Sequence, residues 1–347
     1  MSQIDQELIY VYAHWETLDA PEFMGTLYAS PARGKEIFSF EYDKGWLSSA
    51  HATQLDPHLQ LFQGPQYPAQ GHPNFGIFLD SCPDRWGRVL MKRREEQAAR
   101  SEGRAIKNLL ESDFLLGVFD GHRMGALRFK LARDGNFLDD NAQMASPPLV
   151  MLRELENASL QLEKDGAEND NEYQRWLQML IAPGGSLGGA RPKASVIDEH
   201  NHPWIAKFPS MNDVSDIGLW EFLVHRLARL AGIETSEARV EKFTGRYHTF
   251  LTKRFDRSAG KRIHFASAMT MLAQLDGHGD DTHPSYLDMV EFLLRNGSQV
   301  EKDLQQLWRR IVFNICVSNT DDHLRNHGFL LTSKGWKLAP AYDMNAA

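Results

Sequence analysis

Cysteine is scarce: Cys82 and Cys316 are the only two in 347 residues. They stand far apart, which excludes a disulfide framework and a thiolate metal site. No apolar run reaches the roughly 18 residues that a membrane helix needs. The opening MSQIDQELIYVYAHWETLD carries acids where a leader would carry bases and then an apolar stretch. Both absences point to the cytoplasm, with no membrane partner. A basic excess is missing too. The formal net charge of −8 argues against a protein that coats nucleic acid, while leaving room for a local basic patch. There is no internal repeat and no low-complexity tract. What remains is ordinary for a globular chain: 42% hydrophobic and 24% charged residues, with length for about two domains.

Periodicity divides the chain in two. Residues 8 to 14, 24 to 30 and 36 to 43 alternate apolar and polar positions and are expected to be strands. Residues 58 to 74, rich in Gly, Pro and Gln, are loop. Asp84 can cap a helix over DRWGRVLMKRREEQAARSEG, LLESDFLLGVF is a second helix, and residues 124 to 130 return to a strand. The polar crossing at 133 to 148 separates a β-rich region with helices, 1–135, from a second region, 149–347. There, helices at about 149 to 163 and 171 to 182 precede a glycine-rich turn, a strand, the short strand PWIAKFP and a hairpin ending in TKRFD. In the helix DIGLWEFLVHRLARLAGI, Leu219, Phe222, Leu223, Leu227 and Leu230 recur at helical spacing and predict the face that meets a core. Leu304, Leu307, Ile311 and Ile315 predict the same for EKDLQQLWRRIVFNICVSN. Two short strands, HGFLLT and GWKLAP, finish the chain.

Four motifs could carry chemistry. In N-T-D-D-H-L-R-N, Asp321 and Asn326 stand in the D-x-x-x-x-N relation of protein-kinase catalytic loops. Phosphoryl transfer needs a carboxylate to orient and deprotonate the attacking hydroxyl, and an amide oxygen nearby to hold magnesium. The two strands that follow lead to a further acid, Asp343, in the order kinases use. The alternative is turn chemistry, with His323 a satisfied core residue. G-G-S-L-G-G-A-R-P-K, 184 to 193, would let backbone N–H groups approach an anion; it lacks a Walker ending, and a glycine-rich turn before a strand is by itself more often a plain loop. Ser186 within it could contact a nucleotide or itself accept phosphate. Lys207 sits in an apolar strand, with Glu221 on the helix that follows, the arrangement that anchors α- and β-phosphates in kinases; an edge strand with a solvated lysine is the other reading. T-K-R-F-D-R, 252 to 257, also reads as a solvated turn.

Taken in order, S-L-G-G-A-R-P-K, I-A-K-F-P, K-R-F-D-R, N-T-D-D-H-L-R-N and L-A-P-A-Y-D resemble the HipA family of bacterial serine/threonine kinases, toxins of toxin–antitoxin pairs. G-T-L-Y-A-S and F-S-F-E-Y-D-K-G-W-L are similar to its β-rich N-terminal region. The resemblance implies an α+β, bilobal, protein-kinase-like fold with a β-rich N-terminal part and a mostly helical C-terminal part. It implies ATP and Mg²⁺ as cofactors, with Asp321 as catalytic base and Asn326 and Asp343 as metal ligands. Gly188, Gly189, Ala190, Arg191, Pro192 and Lys193 would form the nucleotide loop and Lys207 would bind phosphates. Lys253, Arg254 and Phe255 would lie beside adenine, with His323, Asn326, Tyr342 and Asp343 completing the ATP site. Ser186 occupies the autophosphorylation position, where a dianionic phosphate would exclude ATP. Implied partners are a HipB-like helix-turn-helix antitoxin, operator DNA through it, and a protein substrate of the translation machinery.

Family kinases continue as helices beyond the acid matching Asp343, whereas this sequence ends four residues later. Faces such as Leu307 and Ile311 are therefore expected to be uncovered. The alternative function is a catalytically inactive, kinase-like corepressor that binds an antitoxin and DNA. A small-molecule kinase and a hydrolase built on Asp321, Asp322 and His323 stand behind it.

Overall fold

The alternation at the start of the chain builds a twisted antiparallel sheet. Ile9, Val11 and Ala13, every second residue of β1 (Glu7–Ala13), are fully buried. β2 (Glu22–Ala32), β3 (Lys35–Tyr42) and β4 (Leu127–Lys130) complete it in the order β3-β2-β1-β4. The computed structural model describes residues 6–32, 34–138, 146–181, 189, 191–243, 245–275 and 284–346. Short α1 (Lys44–Leu47) and α2 (Gly76–Leu79) lead to α3 (Arg85–Glu102), whose N-cap is Asp84, accepting from Gly87 N, and then to α4 (Glu111–Leu116).

Beyond the crossing, α5 (Leu152–Leu162) and α6 (Tyr173–Ile181) pack on a second antiparallel sheet. It consists of β5 (Lys193–Ile197), β6 (Pro203–Lys207), β7 (Ala238–Glu241) and β8 (Thr249–Lys253) in the order β5-β6-β8-β7, with α7 (Ile217–Leu230) against β7 and β8. A two-residue-strand hairpin, β9 (Arg257–Ser258) and β10 (Lys261–Arg262), precedes β11 (Phe265–Ser267) and α8 (Ala268–Met271). α9 (Tyr286–Asn296) and α10 (Val300–Cys316) follow. β12 (Gly328–Thr332) and β13 (Gly335–Leu338) pair with β11 in the order β11-β12-β13.

The crossing does not separate two independent cores. One cluster unites Val11, Leu27, Phe40 and Phe129 of the first sheet with Phe292, Leu307, Phe329 and Trp336 from the last third of the chain. Another places Trp86 and Leu90 of α3 among Leu155, Leu177, Val196, Trp204 and Leu251.

Two expected faces need correction. In α7 the buried residues are Gly218, Glu221, Val224, His225 and Ala228, while Leu219, Leu223 and Leu227 are each more than 40% exposed and Leu230 is 80% exposed. Close approach decides this. A Cβ on Gly218 would lie 2.1 Å from the His248 carbonyl oxygen, so only a small residue lets the helix meet the turn before β8. Glu221 is drawn inward by Lys207, and His225 donates to the Ser236 carbonyl at 2.8 Å. In α10, Leu307 is buried and Leu304 and Ile311 pack half-buried on the core, but Ile315 is 74% exposed. The expectation that Leu307 lies uncovered is therefore also corrected. Among the described residues no helix is long and apolar enough to cross a membrane.

Candidate active site

Lys207 ends β6, an interior strand of its sheet, which overturns the edge-strand reading. Its ammonium is buried and lies 2.5 Å from Glu221 Oε1, and it also donates to Asp343 Oδ1. Burial alone would lower the lysine's pKa. The carboxylates of Asp343 and Glu221 outweigh it and hold the ammonium charged. Burial would raise Asp343, but Lys207 and Lys193 keep it below the usual carboxylate range, whereas Glu221 is raised by its own burial. Asp343 sits at φ 53°, a left-handed backbone that aspartate tolerates better than most residues. It lies in the segment after β13.

Lys193 starts β5 directly opposite Lys207 in the antiparallel register. Its Nζ is 2.7 Å from Asp84 Oδ2, at the start of α3. Arg191 makes a two-pronged ion pair with Asp213, at 2.5 and 3.1 Å, tying the approach to β5 to the turn after β6. Pro192 is buried and its carbonyl accepts from Phe208 N at 2.9 Å. The Gly189 carbonyl accepts from Trp86 N at 3.4 Å. Ser186, Gly188 and Ala190 lie outside the described residues.

The segment between α10 and β12 separates two neighbouring acids. Asp321 turns outward, with 74% of its side chain exposed, and His323, half exposed, lies 3.9 Å from it; His323 is thus not a core residue. Asp322 turns inward and accepts from Asn314 Nδ2 at 2.8 Å, from His327 Nε2 at 2.9 Å and from the Tyr286 hydroxyl. Burial pushes Asp322 up, but the His327 contact, with Tyr286 and Asn314, brings it below its ordinary value. This network pins the loop that presents Asp321. Buried Asn326 donates Nδ2 to the Asp321 carbonyl at 2.8 Å, so its amide oxygen is the end it can offer a cation. The Tyr342 hydroxyl donates to the Arg325 carbonyl at 2.8 Å, joining this loop to the turn that carries Asp343. An exposed acid, an amide, a second acid and a buried lysine thereby form one connected region. A carboxylate and an amide oxygen are hard ligands that suit Mg²⁺ with phosphates and water completing its shell. Among the described residues no group of three His, Cys, Asp or Glu is arranged to hold a metal, and Asp322 is committed inward.

K-R-F-D-R is not a solvated turn. Arg254 is buried and donates to both oxygens of Asp256 at 2.8 and 2.6 Å and to the His122 carbonyl at 2.6 Å. Asp256 also accepts from Gly125 N at 2.9 Å and from Arg257 at 2.5 Å. Burial would raise Asp256, but Arg254 and Arg257 hold it at about 2. Gly125 is at φ 71°, and a Cβ there would lie 3.0 Å from Phe265 N. Of the three residues expected beside adenine, Arg254 is thus committed to the joint with the 122–125 turn. Phe255 packs 5.4 Å from the Tyr342 ring, and Lys253 is half-buried at the end of β8. In the sequence Asp84 is marked only as a helix cap, and Asp213 carries no mark at all. Their signal was an acid beside a turn, which is too common to single out.

The fold is α+β and protein-kinase-like. It aligns with HipA of Shewanella oneidensis, solved with HipB and its operator DNA, at a TM-score of 0.63 and 20% identity, over 97% of this chain and 76% of that one. Residues 185–347 match the family model of the HipA-like C-terminal domain. The curated relatives include "Putative kinase Y4mE" of Sinorhizobium fredii, 28% identical over 150 residues, and a "Putative kinase" of Haemophilus influenzae, 26% identical over 179 residues. The matches span 41% and 46% of this chain but only 34% and 52% of those relatives.

Proposed function

We propose that the chain is a cytoplasmic, ATP-dependent serine/threonine protein kinase of the toxin–antitoxin type, organised as regions 1–135 and 149–347. The observation that carries this reading is Lys207, buried between Glu221 and Asp343 next to the loop that exposes Asp321. Asp321 orients a serine or threonine hydroxyl and accepts its proton as the oxygen attacks the γ-phosphorus, and the ADP oxygen leaves in line. Lys207 leaves Asp343 for the α- and β-phosphates and remains oriented by Glu221. Mg²⁺, held by Asn326 and Asp343, would neutralise charge on the phosphates. Gly188, Gly189, Ala190, Arg191, Pro192 and Lys193 would border the phosphates, and Lys253, Phe255, His323 and Tyr342 the rest of the nucleotide, with Arg254 holding their strand to the 122–125 turn.

Ser186 is proposed as the autophosphorylation site, its phosphate competing with those of ATP. A HipB-like antitoxin and, through it, operator DNA are proposed partners; the Shewanella protein of the same fold is described with both. A protein of the translation machinery is the proposed substrate. Calorimetric titration with ATP tests the site. The wild type is expected to bind more tightly with Mg²⁺ than without, and Asp343→Asn to lose that difference. Equal Mg²⁺ dependence in both would overturn the assignment of Asp343.

A further inference from the structure

We infer that Asp84 is a positioning residue for Lys193 in a two-lysine polyphosphate clamp, so that the region before the crossing completes the nucleotide site. This rests on the nucleotide reading above. Lys193 and Lys207 are opposite one another on paired antiparallel strands, which puts both side chains on one face of the sheet. Both are buried, at 3% and 9% exposure. Two ammonium groups set side by side repel and lose hydration, and such a pair persists only where acids compensate each of them. Each lysine has its own acid on a helix: Glu221 within α7 for Lys207, and Asp84 at the start of α3 for Lys193.

Asp84 is itself immobilised. One oxygen holds Lys193 at 2.7 Å while the other accepts from Gly87 N at 2.7 Å. The lysine is therefore fixed by a carboxylate that cannot follow it. Asp343 contacts Lys207 and feels Lys193, so charges alternate along Asp84, Lys193, Asp343, Lys207 and Glu221. When Asp343 turns to a metal ion, two ammonium groups, each backed by a fixed acid, face the space it leaves. That charge and spacing suit an extended polyphosphate rather than a single phosphate.

The test uses the full chain and Mg²⁺, with ATP and adenosine as probes in calorimetry. Asp84→Asn keeps a good helix cap and removes only the charge; Asp84→Ser, a second cap-forming variant, serves if the first does not fold. ATP affinity is expected to fall about tenfold or more, the weight of one charge-assisted hydrogen bond, while adenosine affinity stays unchanged. Lys193→Met is expected to act alike, and the double variant to be no worse than either single one. Unchanged or tighter ATP binding in both Asp84 variants, or equal losses for ATP and adenosine, overturns the inference. A wild type that binds no Mg·ATP overturns the nucleotide reading itself, and the inference with it.

Discussion

His264 shows how far one residue can depart from its sequence signal. It is 1% exposed, 5.8 Å from the rings of both Trp15 and Trp336, and neither ring nitrogen has a partner among the described residues. Burial lowers its pKa from near 6.5 to about 3. Below pH 6.5 the unfolded chain takes up a proton that the folded chain refuses. Stability is therefore complete above about pH 6.5 and falls as pH drops towards 3, by up to about 1.4 kcal/mol per unit. In urea titrations across that window, His264→Phe should flatten the slope; the same slope in the variant would contradict this. Nothing in the flanking sequence distinguishes this histidine from His323, which is half exposed. The same holds for Asp321 and Asp322. The D-x-x-x-x-N spacing picks out the exposed acid, but the partners that bury its neighbour, Asn314, His327 and Tyr286, come together only in the fold.

At the scale of elements, most types and their order were legible, but the short strands β9, β10 and β11, in a stretch that reads as helical, and the orientation of α7 were not. The strands at 7–13, 22–32 and 35–42 and the helix capped by Asp84 follow from alternation and capping, because those signals are local. The inner face of α7 does not follow, because a count of apolar residues favours the leucine stripe over the small and charged residues that make the closest contacts. Val224→Ala, in the true inner face, should cost about 2 kcal/mol. Leu230→Gln, on the predicted inner face, should stay within about 0.5 kcal/mol. Denaturant unfolding of the two variants measures this, and the reverse order would restore the leucine stripe as the buried side. Trp308 and Ile315 of α10 are likewise exposed.

For the whole molecule, the kinase-like fold and the order of the five motifs could be read from the sequence because each motif is short and keeps its order. How the two regions join could not, because it depends on long-range pairs. Arg254 and Asp256 bind the 122–125 turn across about 130 residues of chain, and the largest core cluster spans the same divide. Arg254→Met leaves a buried carboxylate with one guanidinium fewer and should cost about 3 kcal/mol or more, read as an earlier unfolding midpoint in urea. A midpoint equal to the wild type's would mean the joint carries no weight. The central claim, that Lys207, Asp343, Asn326 and Asp321 form a phosphoryl-transfer site, is tested most directly by label transfer from γ-labelled Mg·ATP to the chain, with ATP binding measured in parallel. The wild type should become labelled on serine, and Asp321→Asn should bind ATP as tightly yet transfer at least about 100-fold more slowly. Equal labelling of the two proteins, or a wild type that binds Mg·ATP and transfers nothing to itself or to any added protein, would contradict it.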